Sequence, residues 1–586
     1  MHSLYAKSII RKISVCLICW SASQFLLPSA MAQVLEWVQQ IGKAYEGRAT
    51  KMAMDQDGNV YLTGSFTGTI NFPSNGKEIE LNSQGGKDAF LAKFNSMGNC
   101  FWAFSIGGNG WDVGKDIAIS QDGYLYVAGE FGGTFNGESL GVVDFDPSDN
   151  TGELMGAGTF DVFIAKYDSS GAFQWVKPVA GPNWEMVNGI AIDQDQNICI
   201  TGFYQTGTDF EPGDSHMTLP FRGGFMDIFL AQYSSDGDLN WAHGLGSSGD
   251  DRGNDVAFDA EGNIYAAGYF SNSIDLDTGP GSQWIVSQGG EDAFFAKYHS
   301  NGTLIWGMGI GGIGRDGIEG IDASPDHNVL IAGYFEYTMN YESQEETMEL
   351  RSNGGSDLFI GQYSSGGENK WLISTGGPSD DVAYNLCALN TGSFLVAGTF
   401  QDEVNFGIDS GNSLLRSKGG RNAYVAQYGY HGDLYEVFQL EGDDNNGVGD
   451  LLVSADNKNL YCTGSFEGVA DFDWSSSELT KDAGVNQDGF LAKYQSSFLK
   501  LKPSAHHSEI GVIAKPSLGI LQVEVPEGME GLNLEVYSID GKLYQSACIE
   551  RNQPIVDIYV GELEVGTYLL ILESKEETLR SVFHWY

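Results

Sequence analysis

Four short segments carry two acids one residue apart: VDFDP (Asp144, Asp146), TDFEP (Asp209, Glu211), IDLDT (Asp275, Asp277) and ADFDW (Asp471, Asp473). In extended backbone, residues i and i+2 lie on the same side of the chain, so each segment presents its two carboxylates together. Paired carboxylates are hard oxygen ligands, and Ca2+ takes six to eight such oxygens. These eight residues are therefore candidate Ca2+ ligands. The competing reading is a solvated acidic loop whose side chains hydrogen-bond to nearby backbone. At the corresponding places elsewhere the pair is missing: NFP at Asn71, NYE at Asn340 and NFG at Asn405.

Other familiar chemistry is not evident. The segments DQDGN (Asp55 to Asn59), DQDQN (Asp193 to Asn197) and DAEGN (Asp259 to Asn263) lack the glutamate that a helix-flanked calcium loop places at its twelfth position. They read as tight hairpin turns, which favour the same residues. The sequence has no nucleophile elbow and no HExxH. His506-His507 has no carboxylate or cysteine at ligand spacing and reads as spacer. No catalytic residue is assigned.

The elements that would position these acids announce themselves by repetition. A D-x-F-x-A-K-Y pattern begins at Asp88, Asp161, Asp227, Asp292, Asp357, Asn422 and Asp488, at intervals of 73, 66, 65, 65, 65 and 66 residues. A second element, as in YLTG or YAAG, ends at Gly64, Gly129, Gly202, Gly268, Gly333, Gly398 and Gly464 in the same register. Such a period marks a repeat architecture. The long interval places an insertion around GVVDFDPSD, read as a surface loop. In the fourth copy, Asn254 to Ala260, Ile264 to Phe270, AFFAKY and Leu304 to Ile310 read as four strands. Alternation puts Phe294, Ala296 and Tyr298 on one face of the third. Both faces are apolar, as in a sheet covered on both sides.

Four antiparallel strands repeated seven times predict a seven-bladed β-propeller. Trp102, Trp175, Trp241, Trp306 and Trp371 each follow a turn glycine by four residues in the fourth strand. No fourth strand follows Tyr494, whereas LEWVQQI, Leu35 to Ile41, has that pattern with Trp37 and no partner before it. This N-terminal strand is predicted to complete the last blade and close the ring. In that geometry the D-x-D segments emerge on the same side as the loops leading into the first strands. Those loops carry Glu46, Asp112, Glu185, Asp250 with Asp251, Asp316, Asp380 with Asp381, and Asp443 with Asp444. The expected result is an acidic face.

The motif GG-x-DAFLAKY, followed by G-x-x-x-W and a DGN-type turn, resembles the SBBP-type bacterial β-propeller repeat over residues 35 to 498. AKYDSSGAFQW (Ala165 to Trp175) resembles the tryptophan-docking repeat of quinoprotein propellers, although those enzymes have eight blades. After the repeats, residues 499–509 read as a linker, and residues 510–586 as a small β-sandwich of alternating strands separated by DG and EVG turns. SIDGKLY (Ser538 to Tyr544) and ELEVGTYLLIL (Glu562 to Leu572) make this tail similar to the C-terminal sorting domain of type IX secretion cargo in Bacteroidetes-like bacteria. Here Ala514-Lys515-Pro516 stands where that family has Pro-Asn-Pro, and the chain ends HWY. The resemblance implies export through the outer membrane, with the type IX machinery as partner of residues 510–586, and removal of the tail with release or surface attachment.

Composition agrees. The 586 residues include 79 Gly, only 14 Pro and 12% aromatics, favouring many short strands. Lys7, Arg11 and Lys12 precede an apolar run ending Ala30-Met31-Ala32, so residues 1–32 read as a signal peptide. No other run is long enough for a membrane helix. The net charge of −47 becomes 28 cations against 78 acids after that leader is removed, which argues against nucleic-acid binding. Cys100, Cys199, Cys387, Cys462 and Cys548 are an odd number, mostly in strand-like runs of different repeats, and read as buried thiols. The expected protein is a secreted or cell-surface propeller, residues 33–498, that binds or scaffolds an extracellular protein or glycan. The alternative is an extracellular propeller enzyme, hydrolase or quinoprotein-like, with an axial site.

Overall fold

The computed structural model describes residues 34–42, 46–133, 141–148, 150–213, 215–342, 347–407, 413–474 and 478–495, and beyond these the strands between 512 and 585. The expected signal peptide, the linker and His506-His507 lie outside the described residues. Contacts divide the chain into two compact units, up to Lys500 and from Leu501 onward. Among the described residues every element is a β-strand.

In the first unit each repeat builds one antiparallel sheet in strand order one to four. The fourth repeat is representative, with Arg252–Phe258, Ile264–Asp275, Trp284–Tyr298 and Leu304–Ile310 hydrogen-bonded in that sequence. The second and third strands run further than the sequence suggested, forming a long hairpin that ends at Asp275 and resumes at Trp284. In the first and fifth repeats this hairpin absorbs the Asn71 and Asn340 segments, inside Val60–Ser74 and Val329–Glu342. The extra residues of the second repeat are not GVVDFDPSD, because Asp144 precedes Asp161 by the same 17 residues that separate Asp275 from Asp292. They fall earlier, largely at 134–140, outside the described residues.

The third strand shows why the sheets stack. Phe294, Ala296 and Tyr298 enter the core shared with the preceding repeat, beside Cys199, Ile228 and Leu230. Ala293 and Phe295 enter the core shared with the following one, beside Ile318, Ile331 and Phe359. Each sheet is thus apolar on both faces, and burying each large side chain stabilises by about 1.5–3 kcal/mol. The same arrangement joins the two ends of the array: Tyr461 and Leu491 of the seventh repeat share a core with Ala49, Met52 and Leu62 of the first.

The strand Val34–Ile41 pairs with Thr480–Gln495, with Gln40 opposite Phe490 and Trp37 opposite Lys493. The first strands, Gly47–Met54, Trp111–Ile119, Met186–Ile192, Arg252–Phe258, Asp316–Ala323, Val382–Ala388 and Asn446–Val453, touch one another in succession, and the last touches the first. Two sheets are fused where Glu441 pairs with Asp471 and Gly442 with Ala470. Cys100, Cys199, Cys387 and Cys462 are free thiols, Cys387 only half-buried, and the side chain of Cys548 is not among those described.

The second unit holds two antiparallel sheets. One contains Val512–Lys515, Ile520–Glu524 and Ile555–Tyr559; the other contains Leu543–Ile549, Leu532–Ser538, Gly566–Glu573 and Thr578–Trp585. Leu534 and Val536 are buried.

Candidate functional site

The D-x-D segments adopt one shared frame. Asp144 Oδ1 accepts the amides of Asp146 and Gly152 at 3.0 and 2.8 Å, two and eight residues on. Asp209 takes Glu211 and Met217, Asp275 takes Asp277 and Gln283, and Asp471 takes Asp473 and Leu479 in the same way. The residue between the acids is a buried plug: Phe145, Phe210, Leu276 or Phe472. Its carbonyl accepts the hydroxyl of the third-strand tyrosine, Tyr167, Tyr233, Tyr298 or Tyr494, at 2.8 to 3.2 Å. The first acid therefore fastens an eight-residue loop over its sheet. Asn405 does the same with its side-chain oxygen, taking Gly407 N and Ser413 Oγ. The second carboxylate oxygen of Asp209 meets His216 Nδ1 at 2.6 Å. Among the described residues no three Asp, Glu, His or Cys side chains are placed to hold a metal ion.

The acids ahead of the first strands were expected on an exposed face. Glu46 and Asp444 are exposed, but Asp112, Glu185, Asp251, Asp316 and Asp381 are fully buried. Asp112 bridges Gly108 N and Gly132 N, both at 2.9 Å, and Asp251, Asp316 and Asp381 make the equivalent two bonds. Backbone amides in the glycine-containing corners supply the donors that permit burial, because a buried carboxyl needs hydrogen-bond partners. The turns at Asp55, Asp193 and Asp259 are closed by the following Asn, whose backbone N–H donates to the Asp side chain.

The first strands surround a charged cluster that motif search does not reveal. Each has a register shift just after the residue opposite the repeated second-strand glycine. The residues set out of register are Thr50, Lys115, Asn188, Asn254, Glu319, Tyr384 and Gly449. A bulge of this kind re-aims a side chain, commonly beside a functional site. The next residue in each repeat is Lys51, Asp116, Gly189, Asp255, Gly320, Asn385 or Asp450. Asp116 accepts Ile190 N, Asp255 accepts Ile321 N and Asp450 accepts Met52 N, all at 2.9 Å, so each acid clasps the following first strand. The last of these spans from the seventh repeat back to the first.

Lys51 Nζ lies 3.5 Å from Asp450 Oδ1. Burial pulls this ammonium down, but the charges of Asp450, Asp116 and Asp255 raise it above the ordinary lysine value. Burial pushes Asp116 up to about 7 against the pull of Lys51. Beside this cluster, Lys115 pairs with Glu130 at 3.1 Å, and Arg252 Nη2 donates to Asn188 Oδ1 at 2.9 Å. Burial also raises Glu319 to about 7, opposed by Arg252. The one local signal for the cluster was the in-register series Lys51-Met52-Ala53, Asp116-Ile117-Ala118, Asp255-Val256-Ala257 and Asp450-Leu451-Leu452.

No family model matches the chain. It is 22% identical over 562 residues to the uncharacterized WD repeat-containing protein L264 of Acanthamoeba polyphaga mimivirus, an alignment covering 81% of this chain and 40% of the viral protein. The fold is β-propeller-like. A stretch of 199 residues is 23% identical to the regulatory protein FlaEY of Caulobacter vibrioides, covering 33% of this chain and 20% of that protein. This propeller-like chain thus spans well under half the length of either curated relative. Among solved structures, a protein of unknown function from Dyadobacter fermentans aligns over 79% of this chain and 99% of its own, at 10% identity and a TM-score of 0.35. PorZ, a surface component of the type-IX secretion system of Porphyromonas gingivalis, aligns over 91% and 74%, at 11% identity and a TM-score of 0.27. No helix among the described residues is long and apolar enough to cross a membrane.

Proposed function

We propose that residues 33–498 form a seven-bladed β-propeller, closed by the N-terminal strand, that acts as a secreted or cell-surface binding or scaffolding module. Its ligand, an extracellular protein or glycan, meets the end of the axis ringed by the bulged residues. One observation carries this reading. Positions that build the repeat carry the same few residue types, whereas the bulged position of the first strand runs Thr50, Lys115, Asn188, Asn254, Glu319, Tyr384, Gly449. Repeat proteins of this kind place sequence variety where they bind. The contact of first strands in succession and the pairing of Val34–Ile41 support the ring. The C-terminal unit, residues 510–586, serves export through a type IX-like system on the motifs given above.

A Ca2+ ion at the acidic loops would rely on the second carboxylates, Asp146, Glu211, Asp277 and Asp473, because Asp144, Asp209, Asp275 and Asp471 fasten the loops. A calcium-dependent rise in melting temperature that disappears in Asp277→Asn is the test of that site.

Glycan and extracellular-protein arrays probed with the purified chain test the binding module. Binding to a probe that is lost in Tyr384→Ala or Glu319→Gln, at unchanged melting temperature, is the expected result. Binding unaffected by both variants, and by neutralising the D-x-D pairs, overturns the assignment of this face.

A further inference from the structure

Ten buried acids outside the axial cluster occur as five pairs, each pair 24 residues apart: Asp88 with Asp112, Asp161 with Glu185, Asp227 with Asp251, Asp292 with Asp316, and Asp357 with Asp381. The first member begins a third-strand D-x-F motif and the second lies at the start of the next repeat's first strand, so every pair lies at a junction between repeats. None of the ten is more than 3% exposed.

The two carboxyls of a pair converge on one corner of the chain. A methyl group at Gly246 would lie 2.6 Å from Asp227 Oδ1 and 2.8 Å from Asp251 Oδ2. Gly181 N donates to Asp161 Oδ1 at 3.1 Å, and a methyl at Gly181 would lie 2.8 Å from Glu185 Oε1. Most of the other oxygens accept backbone amides, and Glu185 Oε1 accepts the Thr208 hydroxyl. In each pair a single oxygen is buried without a partner: Asp88 Oδ1, Glu185 Oε2, Asp227 Oδ1, Asp292 Oδ1 and Asp357 Oδ1. A carboxylate surrounded by N–H donors with one oxygen left over beside a second carboxylate has a natural occupant for that place, which is a proton.

The sixth junction supplies the comparison. There the two positions are Asn422 and Asn446, both buried, at the same spacing of 24. An amide is the uncharged isostere of a protonated carboxyl, so this junction holds neutral groups at every pH. At the seventh the second position is Gly47, and the single acid, Asp488, accepts Gln40 Nε2 at 2.6 Å. A divalent cation would not explain an Asn pair, and the glycine backbone pressed against the carboxyls leaves its shell no room.

We propose that each of these five carboxyl pairs is held together by a shared proton, and that losing these protons loosens the junctions between repeats as pH rises. Burial, opposed by the backbone amides, raises the members to about 7 and 6 (Asp88, Asp112), 7 and 7 (Asp227, Asp251), 6 and 8 (Asp292, Asp316), and 6 and 7 (Asp357, Asp381). Glu185 reaches about 8, and Asp161 is raised. Further charges face some of the pairs: Arg222 and Asp250 at the third junction, Glu336 at the fourth and Asp380 at the fifth. At the first junction Asp112 is the one charge acting on Asp88 among the described residues, which makes this the junction to test.

The sign follows from linkage. A carboxyl raised in the folded state gives stability that is complete below the unfolded value and falls as pH climbs towards the folded one. The full chain and its Asp88→Asn/Asp112→Asn variant are melted between pH 5.5 and 8.5. The expected result is a melting temperature that falls with pH in the parent and falls less in the variant, which is the more stable of the two at pH 8.5. The reciprocal Asn422→Asp/Asn446→Asp chain is expected to melt closer to the parent at pH 5.5 than at pH 8.5, where it melts well below it. Unfolding the parent in urea at pH 6 without buffer is expected to release protons, fewer by about one in the Asn variant. Should that variant fail to fold, the reciprocal chain and the proton count still decide. Parallel pH profiles, a reciprocal chain that melts alike at both pH values, or no proton release overturn the proposal. So does a Ca2+-induced stabilisation of the parent that the Asn variant loses, which would put a cation in the proton's place.

Discussion

The indole of Trp37 lies over Gly98, and its Nε1 donates to Ser96 O at 3.1 Å. Trp37 belongs to the strand that completes the seventh sheet, and Gly98 to a turn of the first. The same contact links consecutive repeats, with Gly237 on Trp175, Gly302 on Trp241 and Gly367 on Trp306. The junction between the two ends of the array is therefore built like the others.

That contact can be isolated by two glycine substitutions. Gly98 and Gly58 have φ of +80° and +77°, but a methyl at Gly98 would lie 2.8 Å from the Trp37 ring whereas one at Gly58 meets nothing within 4 Å. Gly58→Ala is expected to cost about 1 kcal/mol for the left-handed backbone alone. Gly98→Ala should cost a further ~1–3 kcal/mol of overpacking, measured by urea unfolding. Equal losses would show that Trp37 does not hold this place in solution.

Lys51 neutralises part of a ring of acids contributed by residues up to 399 positions away. Replacing it by Met leaves Asp116, Asp255 and Asp450 without a cation, and breaking such a buried pair costs about 3–5 kcal/mol. The three carboxyls then rise further, so the loss should be largest at pH 8 and shrink towards pH 5 as they take up protons. Melting temperatures of Lys51→Met and the parent across that range give the comparison. A pH-independent difference would mean that Lys51 contributes packing and not charge.

Much of the fold was legible because it is local and repeated. Period-2 alternation in AFFAKY placed Phe294 and Phe295 on opposite faces, and the unpartnered pattern at Leu35 to Ile41 placed the N-terminal strand beside Thr480–Gln495. The D-x-D segments were also legible as paired acids, but what each acid touches was not. Asp144 and Gly152 meet through a loop whose closure no spacing rule reveals. Asp112 and Asp316 were read as surface residues because acids ahead of a strand are normally solvated. Their burial depends on amides such as Gly132 N and Glu336 N, 20 residues away in another strand. The Lys51–Asp450 contact spans nearly the whole array and appears only once the first strands meet.

The frame around the acidic loops makes a graded prediction at Asp275. In the sixth repeat the side-chain oxygen of Asn405 holds the loop through Gly407 N and the Ser413 hydroxyl, so Asp275→Asn, whose oxygen can accept the Asp277 and Gln283 amides, should change stability by less than about 0.5 kcal/mol. Asp275→Ala leaves the amides of Asp277 and Gln283 without an acceptor and should cost about 1–2 kcal/mol. Thermal melts in calcium-free buffer separate the two. If Asn were as harmful as Ala, the carboxylate charge would matter and the frame would not suffice.

The closing prediction concerns acid. Asp55, Asp168 and Asp259 are held below the ordinary carboxylate value despite partial burial, through bonds from Asn59, from Ser170 and Ala172, and from Asn263, with Lys93 or Lys297 nearby. Such groups give stability that is present above the unfolded pKa and lost as pH falls through the folded one. The buried pairs act in the opposite sense, gaining as pH falls from about 8 towards 4. With unfolded carboxylates near 4, the two trends cross, and melting temperature should peak at about pH 4–5. Lys297 and Asp259 pair at 2.9 Å with little exposure, so Lys297→Met should lower the neutral side of that peak and matter least at the most acid pH, once Asp259 is protonated in both chains. A parent profile that instead climbs steadily from pH 5 to 8 would mean that the low-pKa turns, and not the junction acids, govern how this protein responds to pH.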